Sequence, residues 1–317
     1  MTTFTRPPSD PDHITAFEHP ALFYTTREDY LSGVGGAVRA AADQGRPVLV
    51  GVPGERLDLL RDALGTDRPD IVWTDMRQAG RNPGRILSML QDFAARGATG
   101  RPFIVGEPIW VGRTPAEAGE ATRHEALINL AFARLEATIL CPYETALPEQ
   151  VLAQARRTHP VLVGSDGHRP SPAHADPHEV CRDCDTPLPE PRDPVVLHFG
   201  ERELPDARDA AGRWAEAGGM SPHRRTDWVL AVSEAVTNSV RHGGGKGTLR
   251  LWRAENTLVA EVRDHGRMTD PLIGRRRPDP SAATGGRGVW MIHQLCDLVE
   301  TRAFPSGLVV RLHMTVD

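Results

Sequence analysis

The chain lacks the features that mark membrane, secreted and nucleic-acid-binding proteins. Its 317 residues contain no apolar run near the roughly 20 residues that span a bilayer, and its first residues lack a signal-peptide pattern. The net charge of −5 gives no support to direct contact with nucleic acid. Four cysteines in such a chain are not expected to form structural disulfides. We therefore expect a cytoplasmic protein with no membrane or nucleic-acid partner.

Changes in sequence character predict two domains joined by a linker. Residues 1–14 are polar and Pro-rich, and we expect them to be disordered. Residues 15–165 alternate β-branched runs with amphipathic stretches, which predicts a Rossmann-like α/β domain with a mainly parallel sheet. Residues 166–194, rich in proline, indicate a linker. Residues 195–317 carry runs of helices and then strands, which predicts an α+β sandwich.

The apolar periodicity also places individual elements within both domains. Strands are predicted within 46–54, 70–73, 102–106, 137–141, 195–199, 248–252, 258–262 and 307–314, and helices within 56–63, 85–96, 204–217, 226–242 and 289–296.

The run from Ser233 to Gly243 carries the clearest chemical signal. Residues four apart share one face of a helix, so Glu234, Asn238 and His242 form a row. The Asn238 side-chain oxygen is a hard ligand suited to Mg²⁺, and Glu234 is placed to deprotonate an attacking hydroxyl. His242 fits either this site or a helix C-terminus, where the dipole favours a cation.

Two later pieces supply the other parts of a nucleotide site. Asp264, in the turn before Gly266, can accept a hydrogen bond from the exocyclic amine of adenine. Gly286, Arg287 and Gly288 open a helical stretch, where glycine lets the backbone approach phosphates at a helix N-terminus. The intervening residues 267–284 carry three consecutive arginines and three prolines, and we interpret them as a mobile lid.

In this order, the Glu–Asn row, the Asp-His-Gly turn and the glycine-rich helix start resemble the GHKL ATPase superfamily, and most closely its anti-sigma-factor serine kinases. The resemblance covers about residues 195–317 and implies a Bergerat-type sandwich that binds ATP and Mg²⁺. It implies that Glu234 is the general base, that Asn238 holds Mg²⁺ and that Asp264 recognises adenine. The expected partners are a sigma factor, which the protein holds inactive, and an anti-anti-sigma protein, which it phosphorylates on serine or threonine.

Two other functions remain open at this point. One is a non-catalytic protein in which ATP is only a conformational ligand and sequestration is the whole activity. The other is an atypical sensor histidine kinase, which His124 superficially suggests. The Pro-rich segment upstream of the ATPase cannot supply the long helix with a phosphoacceptor histidine that such a kinase needs. A homodimer is also open.

The N-terminal domain has its own resemblance, to the MEDS sensory domain. It rests on five segments, at residues 19–24, 106–110, 124–129, 141–144 and 158–160. Glu107, Glu125 and Asn129 are candidates for a small-molecule pocket, with helix caps and polar surface contacts as the alternative. We interpret Cys141 as a buried small hydrophobe. No P-loop motif occurs, so ATP is not expected to bind here through one.

The linker carries four metal-ligand residue types within eleven positions. They are His174, His178, Cys181 and Cys184. Cys-x-x-Cys is a common half of a zinc site, and it also occurs as a redox dithiol. Zinc sites usually take their ligand pairs from separated turns, so this compressed spacing favours a metal-free linker over either site.

Overall fold

The computed structural model of the protein describes residues 17–65, 68–96, 100–164, 167–278 and 286–316. Two units emerge. The first comprises the chain up to Arg81 together with Ile86–Val180, and the second comprises Asn82–Arg85 together with Cys181–Asp317. The segment 1–14, for which we predicted disorder, lies outside the described residues.

In the part of the chain that the structure describes, the first unit is built on eight strands. They are β1 (Phe17–Glu18), β2 (Pro20–Tyr24), β3 (Val48–Val52), β4 (Ile71–Asp75), β5 (Phe103–Gly106), β6 (Ala137–Glu144), β7 (Val161–Gly164) and β8 (Gly167–Pro170). Its helices are α1 (Arg27–Tyr30), α2 (Gly36–Asp43), α3 (Gly54–Leu64), α4 (Met76–Ala79), α5 (Ile86–Ala94), α6 (Pro115–Ala131) and α7 (Glu149–Thr158), with a π-helical turn at Leu31–Gly35.

The sheet of this unit runs in the order β4-β3-β5-β6-β2-β7-β8, with β1 paired to β6. Every pairing is parallel except β7 with β8. Strands β3 and β5 are buried along their whole length, which explains their continuous apolar sequence, since helices cover parallel sheets on both faces. The predicted α/β domain with a mainly parallel sheet is confirmed.

Helix α6, which crosses this unit, has a well-defined start. Thr114 accepts a hydrogen bond from the backbone of Glu117, and the Glu117 carboxylate accepts one from the backbone of Thr114. This capping box, with Pro115 at the first helical position, fixes the helix start. The long helix behind it is buried from Glu120 to Ile128.

Among its described residues, the second unit contains three helices of nine or more residues and five strands. They are α9 (Leu204–Ala217), α10 (Pro222–His242), α11 (Arg287–Leu295), β9 (Val195–Gly200), β10 (Lys246–Ala254), β11 (Thr257–Asp264), β12 (Leu298–Phe304) and β13 (Gly307–Thr315). The strands form an antiparallel sheet in the order β12-β13-β11-β10-β9. Apolar residues of the helices and the sheet share one core, which is the α+β sandwich that the sequence predicts.

Trp228 shows how the helices of this core are joined. Its side chain is fully buried in α10, and its indole N–H donates to the carbonyl of Ala211 in α9 at 3.1 Å. A buried indole needs such a partner. The contact orients α9 against α10 and thereby fixes α10, whose last turns carry the candidate site.

The predicted linker contains ordered elements. Besides β8, it includes α8 (Pro177–Asp183), which crosses the boundary between the units. The following residues lie on the sheet of the second unit, where Arg302 donates to the carbonyl of Thr186 and Arg311 to that of Pro189. Backbone carbonyls can accept such bonds from any residue type, so a Pro-rich composition does not prevent the segment from being held in place.

Candidate nucleotide site

The last turns of α10 present the predicted row of polar side chains. Glu234 and Asn238 are half-buried, whereas His242 is exposed in the final turn. The helix ends at Gly243, whose N–H donates to the carbonyl of Ser239 at 2.7 Å. The tip of the Asn238 amide is buried and its nitrogen has no hydrogen-bond partner among the described residues. Since amide nitrogen and oxygen exchange by a simple rotation, this tip is a free ligand position.

The start of α11 packs directly on this row. A Cβ atom at Gly288 would lie 2.4 Å from Oε2 of Glu234 and 3.2 Å from Nδ2 of Asn238. Gly286, the residue before the helix, has a left-handed backbone with φ of +96°. No described side chain caps this helix start, so its backbone donors are available to an anion. Gly288 is therefore required because the neighbouring side chains approach it closely, and Gly286 is required because its backbone is left-handed.

The Asp264 carboxylate lies at the end of β11 and is fixed from both sides. Ser239 donates its hydroxyl to Oδ2 at 2.5 Å, and the N–H of Gly266 donates to Oδ1 at 2.7 Å. A Cβ atom at Gly243 would lie 2.4 Å from the Asp264 carboxyl carbon. Because a carboxylate has about four acceptor positions, Asp264 can still accept a hydrogen bond from a ligand.

The predicted site residues therefore meet around the end of α10. Glu234 and Asn238 face Gly288, and Asp264 contacts the same helix through a serine that the sequence did not single out. Ser239 is fully buried; its proximity to Asp264, 25 residues later, is a tertiary contact that no spacing in the sequence indicates.

The remaining predicted residues surround this site. Gly266 is buried beside Asp264, while Arg287 is exposed as the first residue of α11. In the predicted lid, a Cβ atom at Gly274 would lie 2.3 Å from the Val289 side chain, so the lid packs on the first turn of α11. Arg275 is buried, whereas the next two arginines are exposed. Residues 279–284 of the lid, and Gly285, lie outside the described residues.

The candidates in the N-terminal domain fall into two separate clusters. Glu107 is fully buried, accepts hydrogen bonds from Tyr24 at 2.9 Å and Tyr30 at 3.2 Å, and contacts Arg56. Burial raises the pKa of Glu107 to about 7. Glu125 and Asn129 instead both contact His19, at 3.1 and 3.0 Å. The three residues therefore do not line one pocket together.

The four linker residues are not brought together as a metal site. His174 and His178 are exposed, and Cys181 is buried. Among the described residues, the one group of at least three His, Cys, Asp or Glu side chains with ligand atoms close enough for a metal consists of His19, Glu125, Cys141 and His159. No disulfide joins the four cysteines, all of which are described.

Two family models match separate parts of the chain. Residues 18–160 match the family model described as MEDS, the methanogen/methylotroph, DcmR sensory domain. Residues 200–314 match the model of the histidine kinase-like ATPase domain. The chain thus combines a MEDS sensory region with a histidine kinase-like ATPase region. No curated protein matches the chain.

Among solved structures, the chain is similar to the crystal structure of the RsbU and RsbW domains of Rv1364c from Mycobacterium tuberculosis. The identity is 19%, over 38% of this chain and 32% of that chain, with a TM-score of 0.29. The match spans about a third of that protein's chain. Within the described residues, no helix has both the length and the apolar character that crossing a bilayer demands.

Proposed function

We propose that the protein is a signal-gated anti-sigma regulator. In this proposal the second unit binds Mg-ATP, holds a sigma factor inactive and phosphorylates an anti-anti-sigma protein on serine or threonine, under control of the sensory region. The ATPase match at residues 200–314 supports nucleotide binding. The choice of partners rests on the resemblance of the sequence motifs to anti-sigma-factor serine kinases.

The contact of Gly288 with Glu234 and Asn238 carries this proposal. It joins an acid, a free amide tip and an uncapped helix start within one small space. The donor set suits a hard cation and an anion together, because an amide oxygen binds Mg²⁺ and a helix start binds phosphate. Magnesium, when bound, would neutralise phosphate charge, and Asn238 is the residue that would hold it.

Each protein group then has a distinct task. Asp264, oriented by Ser239 and the N–H of Gly266, accepts a hydrogen bond from the adenine amine. The N–H groups at the start of α11 orient the phosphates. Glu234 takes the proton from the partner's hydroxyl as that oxygen bonds to the γ-phosphorus of ATP, the bond to the β-phosphate oxygen breaks and ADP leaves, which is the role of a general base.

Phosphoryl transfer from labelled ATP to candidate anti-anti-sigma proteins tests the proposed catalysis. Glu234→Gln keeps the size and hydrogen bonding of the side chain but removes the base, which typically contributes about 10²–10⁴-fold. We expect transfer to slow by that order while ATP binding is retained. Glu201→Gln, at an exposed glutamate of the same unit, is the matched control and should transfer at the wild-type rate.

Equal transfer rates for wild type and Glu234→Gln would show that Glu234 is not the base. Binding of ATP and of a sigma factor without transfer to any candidate would replace the kinase with a sequestration protein.

A further inference from the structure

Four side chains far apart in the sequence converge inside the first unit. His19 directly precedes β2, Glu125 lies within α6, Cys141 lies in β6, and His159 follows α7. Strand β2 is paired with β6 on one side and with β7 on the other. This strand order brings the two histidines and the cysteine side by side, and α6 supplies the carboxylate.

The ligand atoms of these four residues are close together and closed off from water. Nε2 of His19 lies 3.1 Å from Oε2 of Glu125 and 3.4 Å from Sγ of Cys141. Nε2 of His159 lies 3.1 Å from the same Oε2. All four ligand atoms are within 4.8 Å of one another. Each residue is at most 1% exposed.

The outer nitrogen of His19 is held as a donor. The Asn129 amide nitrogen donates to the carbonyl of Thr158 at 2.7 Å, which fixes the amide orientation. Oδ1 of Asn129 therefore faces Nδ1 of His19 at 3.0 Å and accepts a hydrogen bond from its N–H. In the neutral imidazole, this leaves the lone pair on Nε2, the atom that points into the cluster.

His159 is arranged in the same way. Its Nδ1 lies 2.8 Å from the carbonyl oxygen of Ala155, which can only accept a hydrogen bond. Its Nε2 thus also carries the lone pair in the neutral ring. Metal-ligating histidines characteristically donate their outer N–H to a carbonyl or an amide in this way.

The centre of the cluster is therefore rich in acceptors, and the Cys141 thiol is a weak donor that faces it. Two imidazole lone pairs and a carboxylate face one another there. Two atoms, Oε1 of Glu125 and Nε2 of His159, are buried and have no hydrogen-bond partner among the described residues. A buried carboxylate with one oxygen left without a partner is unfavourable, so a cation at the centre would stabilise the arrangement.

We propose that His19, Glu125, Cys141 and His159 form a binding site for one tetrahedral Zn²⁺ ion. Zinc distances of about 2.0–2.3 Å place neighbouring ligand atoms of a tetrahedron about 3.3–3.8 Å apart. The separation of 3.4 Å lies within this range, the two of 3.1 Å lie slightly below it, and all four ligand atoms lie within 4.8 Å of one another. A thiolate, two imidazoles and a carboxylate suit zinc rather than Mg²⁺ or Ca²⁺, and four protein ligands make a closed site. We therefore place zinc in this cluster and not in the linker. This proposal does not depend on the proposed kinase activity.

The metal-free alternatives pair Glu125 with a protonated His159 or a protonated His19. Geometry argues against the first, because Nε2 of His159 lies 3.1 Å from Oε2 yet its direction does not allow a hydrogen bond. The second allows Nε2 of His19 to donate to Oε2 at 3.1 Å, but it leaves Oε1 of Glu125 and Nε2 of His159 without a partner. A coordinated ion satisfies both atoms without such a bond.

Elemental analysis of the full chain, purified without chelators from zinc-supplemented cells, tests the site. We expect about one zinc ion per chain, lost in Cys141→Ser. The matched control is the double variant Cys181→Ser/Cys184→Ser, which should retain the metal. Loss of zinc from the double variant with retention in Cys141→Ser would overturn the proposal in favour of the linker. Absence of stoichiometric zinc from wild type would overturn it in favour of the ion pair.

A second measurement does not require Cys141 to be replaced. In the triple variant Cys181→Ser/Cys184→Ser/Cys296→Ser, Cys141 is the sole cysteine. Chelation of this protein and addition of Co²⁺ should produce the ligand-field bands of a tetrahedral site and a thiolate-to-cobalt charge-transfer band. Tetrahedral bands without the thiolate band, or no bands at all, would contradict coordination by Cys141.

Discussion

Ser239 links two parts of the candidate site that are separate in the sequence. It follows Asn238 directly in α10 and donates to Asp264. The hydroxyl holds one carboxylate oxygen, while the other receives the N–H of Gly266. In the proposed nucleotide site, recognition of adenine by Asp264 would therefore depend on Ser239, which orients the carboxylate.

Replacing Ser239 should weaken both folding and adenine recognition. Ser239→Ala removes the bond to Oδ2 of Asp264, for which we expect a loss of about 1 kcal/mol in unfolding free energy and a threefold to tenfold weaker affinity for ATP, roughly the effect of one hydrogen bond. Denaturant unfolding and calorimetry measure the two effects. Ser233→Ala, on the same helix, is the control; similar losses in both variants would contradict a specific role for Ser239.

Replacing Gly288 should affect phosphoryl transfer far more than it affects the stability of the fold. A methyl group here would lie 2.4 Å from Oε2 of Glu234, and the carboxylate can move away more easily than the helix. We expect Gly288→Ala to slow phosphoryl transfer by up to about 100-fold, as misplaced catalytic groups do, with unfolding free energy changed by no more than about 1 kcal/mol.

The control for this variant is Gly119→Ala in α6. A Cβ atom at Gly119 meets nothing within 4 Å, so alanine should raise stability slightly and leave transfer unchanged. If the Gly288→Ala protein transfers phosphate at the wild-type rate, Gly288 does not determine where the Glu234 carboxylate lies.

At the scale of elements, β11 carries a buried charge that organises the outer face of the second sheet. The Glu261 carboxylate is fully buried and receives hydrogen bonds from Arg250, Arg263 and Arg311. The exposed Glu190 carboxylate also contacts two of these arginines. The ion cluster thus joins three strands to the segment that precedes β9.

Glu261→Gln should destabilise the second unit by about 3–5 kcal/mol, because it leaves the buried Arg311 guanidinium without its counter-charge. Glu190→Gln, at the exposed end of the same cluster, should cost no more than about 1 kcal/mol. Denaturant unfolding of both variants provides the comparison. If the two variants lose the same unfolding free energy, burial does not determine how much these ion pairs contribute to stability.

Elements were predictable from the sequence wherever the pattern is local. The apolar runs gave β3, β5 and β6 in the first unit, and the 3.6-residue period gave α9 and α10 in the second. Glu234 and Asn238 were predictable as a pair because their spacing is a helical turn.

Long-range contacts were not predictable in this way. The bond from Ser239 to Asp264 and the cluster around Cys141 depend on which helices and strands become neighbours. We interpreted Cys141 as a small hydrophobe, and its proximity to two histidines follows from the order β6-β2-β7 alone. The Pro-rich segment near Thr186 is held by arginines more than a hundred residues away, which composition cannot indicate.

At the scale of the whole molecule, the chain combines a MEDS sensory region with a histidine kinase-like ATPase region. The proposed zinc site and the proposed nucleotide site lie in different units. Their tests are therefore independent, and loss of one ligand need not remove the other.

The central claim is that the end of α10, the end of β11 and the start of α11 form a Mg-ATP site. Calorimetric titration of the full chain with ATP, in the presence and absence of Mg²⁺, tests it most directly. We expect Asn238→Ala to lower ATP affinity about tenfold or more, the scale of a contact with a charged group, in Mg²⁺ only. Asp264→Asn should weaken ATP more than GTP. Wild-type affinity for Mg-ATP in both variants would contradict this account.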